Sequence, residues 1–162
     1  MKLLDAVVQI IMGTLGTLGF NLLFHIRGRK LLFATLGGLI SWTIFLMLEP
    51  IFQGEASRYF FAAAAVTVYS EFFARVLKTP TTTFLVSSIV PLIPGGSLYY
   101  TMNYALNEQW NLFVQKAFST LELALALAVG IIAITTAVRL ITALIRVYKK
   151  AEKGSIYHHS IK

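Results

Sequence analysis

The chain has 162 residues, of which 57% are hydrophobic and 13% are charged, and its formal net charge is +7. Its mean hydropathy is +0.73, and these values are typical of an integral membrane protein rather than a soluble domain. The basic residues are divided among loop ends without base-stacking aromatic residues on the same face, so we expect no nucleic-acid partner. The absence of cysteine excludes disulfides, thiolate metal ligands and cysteine nucleophiles.

Five apolar stretches predict an all-α membrane protein with about five transmembrane helices in a single domain over residues 1–150. At roughly 20 residues per crossing, five crossings use nearly the whole chain and leave no soluble domain. The spans are expected at about residues 3–24, 31–48, 59–77, 84–106 and 119–145. Residues 151–162 are expected to form a flexible cytoplasmic tail.

Small residues in the first two spans predict surfaces for close helix packing. These residues are the glycines at 13, 16 and 19 with Thr14 and Thr17 in span one, and Gly37, Gly38 and Ser41 in span two.

The third span ends with two charged residues, Glu71 and Arg75. They are four residues apart, so they face the same side of a helix and can pair. An ionisable residue in a span is expensive and usually serves a pathway, a proton relay or a pairing. Glu71 is therefore a candidate for ion coupling, and simple pairing with Arg75 is the alternative.

A helix break is predicted in the fourth span, where the sequence reads Pro91-Leu92-Ile93-Pro94-Gly95-Gly96. The two prolines remove backbone donors and clash with the preceding turn, and the glycines admit backbone angles that other residues avoid. In hydrocarbon, a break is tolerated mainly where protein or a water-filled cavity satisfies the freed polar groups. Transporters build substrate sites from such breaks. A proline kink that only shapes packing is the alternative.

The segment around this break is the predicted substrate site. A half-helix that starts after the glycines directs its free amide groups and positive dipole end toward the break. Such an end favours an anionic group, for example a substrate carboxylate. Ser87 and Ser88 line the segment before it. The substrate-binding candidates are Pro91, Pro94, Gly95, Gly96, Ser97, Tyr99, Thr101 and Asn103.

The basic residues that flank the spans predict the orientation in the membrane. If the loop at residues 27–30 is cytoplasmic, alternation also places the basic residues at 75–78 and 146–153 on the inside. Lys2, Arg58 and Lys116 are then outside. This pattern predicts an external N-terminus and a cytoplasmic C-terminus.

Catalytic and cofactor motifs are missing from the sequence. No histidine stands beside a serine and a carboxylate within a span, and no glycine-lysine phosphate loop occurs. We therefore expect no enzymatic activity, no cofactor, no metal site and no ATP-driven mechanism in this chain.

With the five-span layout, the segment Ile93-Pro94-Gly95-Gly96-Ser97-Leu98-Tyr99-Tyr100-Thr101-Met102 resembles the small subunit of the threonine/serine exporter family. The resemblance includes residues 20–29, residues 36–38, and residues 70–75 with the Lys78-Thr79-Pro80 that follows. It implies a two-subunit exporter in which this chain is the small, C-terminal-half subunit and a larger membrane subunit is the partner. Relatives often carry an asparagine and a proline after span one, where this chain reads His25-Ile26-Arg27.

The predicted function is that of a subunit in a secondary exporter for small carboxylate-bearing metabolites, with threonine or serine as the first expectation. The family also includes pairs linked to dicarboxylate export, succinate in particular. A non-transporting membrane scaffold is the runner-up class and an intramembrane enzyme the third, although a scaffold does not need the double proline-glycine break. Five spans rarely complete an alternating-access transporter, so we expect either the larger subunit or a second copy of this chain as a partner in the lipid bilayer.

Overall fold

The computed structural model describes residues 3–159. These residues fold into α-helices without any strand, which confirms the predicted all-α class. Lys2 and residues 160–162, the end of the predicted tail, lie outside the described part. The helices are α1 (Leu3–Leu23), α2 (Arg29–Met47), α3 (Glu55–Val76), α4 (Thr81–Ile89), α5 (Gly95–Leu106) and α6 (Trp110–His159), with one 3-10 turn, Val90–Leu92, between α4 and α5.

Three helices within residues 3–159 are long and apolar enough to cross a membrane: Leu4–Leu23, Arg29–Met47 and Trp110–Tyr148. The bent pair Thr81–Leu92 and Gly95–Leu106 adds a fourth span if its two parts are counted together. Helix α3 has 22 residues but includes four charged ones, which lower its hydropathy. A count of five crossings therefore stays a prediction.

Helix α3 is the central element of the bundle, because it packs along α6, α4 and α2. Its outward face is still apolar, since Phe61, Val68 and Phe72 are exposed, but contact with several helices leaves less of its surface facing lipid, where charged residues are costly. Most of its inward positions hold small side chains, which permit close approach. Its buried residues are Tyr59, Ala62, Ala63, Val66, Thr67, Ser70 and Ala74.

Contacts between helices bring the predicted cytoplasmic basic segments to one end of the bundle. The rings of Phe33 and Phe73 stack with centroids 4.7 Å apart, so the start of α2 lies beside the end of α3. Arg75 Nη2 donates a hydrogen bond to Thr142 Oγ1 at 3.1 Å, which brings the later part of α6 to the same end. The side of the membrane that this end faces stays a prediction.

Helix α6 is longer than the fifth predicted span. It begins at Trp110 rather than at residue 119, and it continues to His159. The preceding turn contains Glu108 with a positive φ of 56°, which ends α5, but no proline or glycine interrupts residues 110–118. Polar side chains alone do not stop a helix, so the expected polar linker is largely helical. The flexibility of residues 151–162 stays a prediction.

A glycine of α6 lets this helix approach the backbone of α3 closely. A Cβ added to Gly130 would lie 2.6 Å from the backbone carbonyl oxygen of Phe60 in α3. A second close contact joins α2 to α4, because a Cβ added to Gly37 would collide with the hydroxyl group of Ser88. Glycine at these positions therefore sets how closely the helices approach each other.

The predicted small-residue surface of α1 is only partly used for packing. A Cβ added to Gly38 would lie 2.6 Å from Thr17 Cγ2, so α1 and α2 meet closely there. At Gly16 and Gly19, by contrast, an added Cβ would have no atom within 4 Å. This part of the surface is open in the single chain.

Candidate substrate site at the helix break

The break predicted in the fourth span is confirmed. Helix α4 is followed by the 3-10 turn Val90–Leu92, and α5 begins at Gly95. The two parts of the span are bent by 57°. Pro91 lies in the turn and Pro94 directly before α5, and neither can donate a backbone hydrogen bond to continue the helix.

The start of α5 is uncapped. No side chain at Pro94 forms a cap hydrogen bond to the first turn, and the Gly95 N–H donates to the Ile93 carbonyl oxygen. The first amides of a helix have no carbonyl partner in that helix. The N–H groups of Gly96 and Ser97 are therefore the donors available to a ligand.

Gly95 and Gly96 are exposed, and an added Cβ at either residue would have no atom within 4 Å. Their φ angles are not positive, because Gly28 is the glycine with a positive φ in the described part of the chain. The interpretation that these glycines supply unusual backbone angles is therefore wrong, and Gly95 is already the first residue of α5. Glycine instead leaves the amides at the helix start uncovered.

Thr101 anchors α5 to α6 rather than pointing into open space. Its hydroxyl donates to the Ser97 carbonyl oxygen at 2.8 Å, and its oxygen is 3.1 Å from Thr120 Oγ1. Thr120 is buried and its oxygen is also 2.8 Å from the Lys116 carbonyl oxygen, so its single proton is donated either to that carbonyl or to Thr101 Oγ1. Thr120 is not among the predicted site residues, because nothing in a single sequence pairs a residue of α5 with one of α6.

The remaining candidates point in different directions. Pro91 faces α1, since its Cβ is 3.7 Å from a Cβ added to Gly13. Tyr99 is 65% exposed, whereas the Asn103 side-chain oxygen accepts a hydrogen bond from Asn107 Nδ2 at 3.0 Å. The structure of this chain therefore does not enclose the candidates in one cavity. The open part is the start of α5.

Buried polar side chains lie inside the bundle, on α1, α3 and α4. The Oγ atoms of Ser70 and Ser88 and Oδ1 of Asn21 are buried without a hydrogen-bond partner among the described residues. Asn21 Nδ2 donates to Thr35 Oγ1 at 3.2 Å. Unpaired polar atoms in an apolar interior are unfavourable, so these atoms can bind water or a polar ligand that enters the bundle. Of these residues, the sequence indicated Ser88 as part of the site, and Asn21 and Ser70 only as part of the segments that carry the family resemblance.

Glu71 forms the predicted pair with Arg75. Its Oε2 is 3.6 Å from Arg75 Nη2, and the Glu71 side chain is 16% exposed while that of Arg75 is 58% exposed. Through Arg75 and its bond to Thr142, the pair links α3 to α6. Within residues 3–159, no group of three histidine, cysteine or acidic side chains is arranged to hold a metal ion.

These features define the class as an all-helical membrane protein with a broken helix. The family model described as "Threonine/Serine exporter, ThrE" matches residues 9–137. The chain therefore belongs to the threonine/serine exporter family, a family of membrane transporters rather than of enzymes. This membership confirms the resemblance, while the role of small subunit stays a prediction. No curated protein and no solved structure matches the chain.

Proposed function

We propose that this chain is one subunit of a secondary exporter for small carboxylate-bearing metabolites, with threonine and serine as its first substrates. The observation that carries the proposal is the uncapped start of α5 at the helix break. Free amides and the positive end of the helix dipole stabilise a negative group. The substrate carboxylate binds the N–H groups of Gly96 and Ser97, and the missing side chains at Gly95 and Gly96 let it approach.

Because this site is open, a second protein surface must cover it. A carboxylate bound at α5 would lie on the surface of the single chain, because a Cβ added to Gly95 or Gly96 would have no atom within 4 Å. A charged group facing lipid is strongly unfavourable. The larger membrane subunit, or a second copy of this chain, covers the site. Gly16 and Gly19 offer a further open surface on which a partner helix can pack closely.

Glu71 is the proposed ion-coupling residue. Its contact with Arg75 is loose, since 3.6 Å exceeds the usual hydrogen-bond distance between nitrogen and oxygen. The carboxylate can therefore exchange Arg75 for a proton or a cation during the transport cycle. A Glu71→Gln variant should still export down a substrate gradient but should no longer respond to an imposed ion gradient. An unchanged response would leave Glu71 with a pairing role alone.

Substrate efflux tests the proposal directly. Cells carry the chain alone, the chain with the membrane protein encoded beside it, or neither, and they are preloaded with labelled threonine, serine or succinate. We expect threonine and serine efflux from the pair and none from the chain alone. Efflux of succinate only would identify a dicarboxylate exporter. No efflux from a correctly inserted and associated pair would favour the scaffold function.

We further propose that the N-terminus is outside and the C-terminus cytoplasmic. The support is the basic residues, which gather at one end of the bundle. Because the chain lacks cysteine, single cysteines can report the sidedness of each loop. Cysteines at Gln53 and Asn111 should react with an impermeant thiol reagent on intact cells, and one at Gly154 should not. Labelling at position 154 alone would reverse the orientation.

A further inference from the structure

A polar cavity lies away from the helix break, between α3, α6 and the start of α4. Its volume is about 420 Å³. It is at the end of the bundle that holds the basic segments, because Arg75 and Thr142 form part of its wall. Its polar lining consists of Glu71, Arg75, Thr81, Arg139, Thr142 and Arg146.

The charges in this cavity do not balance. Three guanidinium groups face a single carboxylate, and that carboxylate, on Glu71, already lies 3.6 Å from Arg75. Arg139 and Arg146 form no ion pair or hydrogen bond with any residue in the described part of the chain. Two positive charges are therefore uncompensated. Guanidinium groups bind phosphate and carboxylate oxygens with paired hydrogen bonds, so the cavity suits an anion.

The surroundings of the two free arginines indicate what kind of anion fits. Arg139 and Arg146 are seven residues apart, or two turns, and thus lie on one face of α6. Apolar residues beside them are exposed, including Leu140 at 61% and Leu144 at 69%. These residues belong to the stretch Trp110–Tyr148 that is apolar enough to cross the membrane. The cavity therefore opens beside a lipid-facing surface, where an amphiphile can satisfy both the charges and the leucines.

We propose that this cavity binds the headgroup phosphate of an anionic phospholipid. Basic pockets between transmembrane helices on the cytoplasmic side are suited to such headgroups. Arg139 and Arg146 hold the phosphate oxygens, and the acyl chains lie along the exposed leucines. Arg75, which lies beside Glu71 and donates to Thr142, forms part of the wall of the site. The bound lipid ties α3 to α6 and stabilises the bundle, whatever the chain transports.

Thermal unfolding of the full chain, purified in an uncharged detergent, tests the site. Phosphatidylglycerol, phosphatidylcholine with the same acyl chains, and glycerol phosphate are added separately. We expect phosphatidylglycerol to raise the melting temperature and to remain bound in native mass spectrometry. Phosphatidylcholine and glycerol phosphate should neither raise the melting temperature nor remain bound. In the R139Q/R146Q variant the rise specific to phosphatidylglycerol should be lost.

Lys116→Gln is the matched control, because it removes a positive charge from α6 outside the cavity. This variant should keep the full rise in melting temperature. Because the double variant removes two positive charges and the control removes one, a loss in the control of half or more of that in the double variant would be an effect of overall charge and would refute the site. If glycerol phosphate stabilises as strongly as the lipid, the cavity is a soluble-anion site and the lipid assignment is wrong. Should the double variant not fold, R139Q and R146Q are measured singly, and retention of the rise in both refutes the site.

Discussion

The glycines of the packed bundle and those of the helix break have opposite surroundings. In the bundle, a Cβ on Gly130 would approach the Phe60 carbonyl oxygen to 2.6 Å, and one on Gly37 would collide with a neighbouring helix. At the break, a Cβ on Gly95 or Gly96 would meet no atom within 4 Å. Glycine has a packing role at the first pair of positions and none at the second.

This difference shows that glycine in a membrane helix has two separable uses. Small residues let two helices approach closely, and they also leave backbone amides accessible at a helix start. A substitution distinguishes the two uses. Enlarging a packed glycine should lower stability, and enlarging an open one should lower export while leaving stability unchanged.

The largest expected effect on stability is that of Gly130→Leu. The obstacle is the backbone carbonyl of Phe60, which cannot rotate away, so α3 and α6 must separate. Overpacking typically destabilises by about 1–3 kcal/mol. Because the substitution separates α6 from α3, the central helix of the bundle, we expect a loss at the upper end of this range. Thermal unfolding in detergent should show a large fall in melting temperature or a loss of folded protein.

Val129→Leu is the control for this substitution. Val129 is adjacent in α6 and 52% exposed, so the added carbon can extend away from α3. Its melting temperature should match that of the wild type. An unaltered melting temperature in Gly130→Leu would mean that the α3–α6 contact is looser than the structure shows.

A smaller loss of stability is expected for Gly37→Ala. Alanine favours a helix over glycine by about 1 kcal/mol, but the new methyl group collides with the Ser88 hydroxyl. A side chain can adjust more easily than a backbone carbonyl, so we expect a net loss of about 1 kcal/mol. Adding Ser88→Ala should restore part of it, because the nearest atom is then the Ser88 Cβ, at 3.0 Å. A double-mutant cycle measures this coupling, and strictly additive effects would contradict the contact.

The helix break was predictable because its cause is local. Two prolines end α4 in any surroundings, since neither has an N–H group to donate. The pairing of Glu71 with Arg75 was predictable for a similar reason, because their spacing fixes both side chains on one helix face. Both predictions needed only neighbouring residues.

Features that depend on contacts between distant segments were not predictable from one sequence. Thr120 lies opposite Thr101 only because α5 folds back along α6. Arg139 and Arg146 lie beside Arg75 only because α6 packs on α3.

The start of α6 at Trp110 was missed for another reason. Polar composition suggested a linker, although no helix-breaking residue is present.

Gly95→Leu should have the smallest effect on stability and a strong effect on export. Nothing lies within 4 Å of an added Cβ and the φ angle is not in the left-handed region, so leucine is accommodated without strain. Its side chain would cover the amides of Gly96 and Ser97 and exclude the substrate carboxylate. Efflux should collapse, while the melting temperature and association with the partner stay at wild-type values. Ala124→Leu, at an exposed position of α6, adds a similar apolar side chain and should leave both efflux and melting temperature unchanged. If Gly95→Leu is present at normal levels, associates normally and exports at the original rate, the break is structural and the carboxylate binds elsewhere.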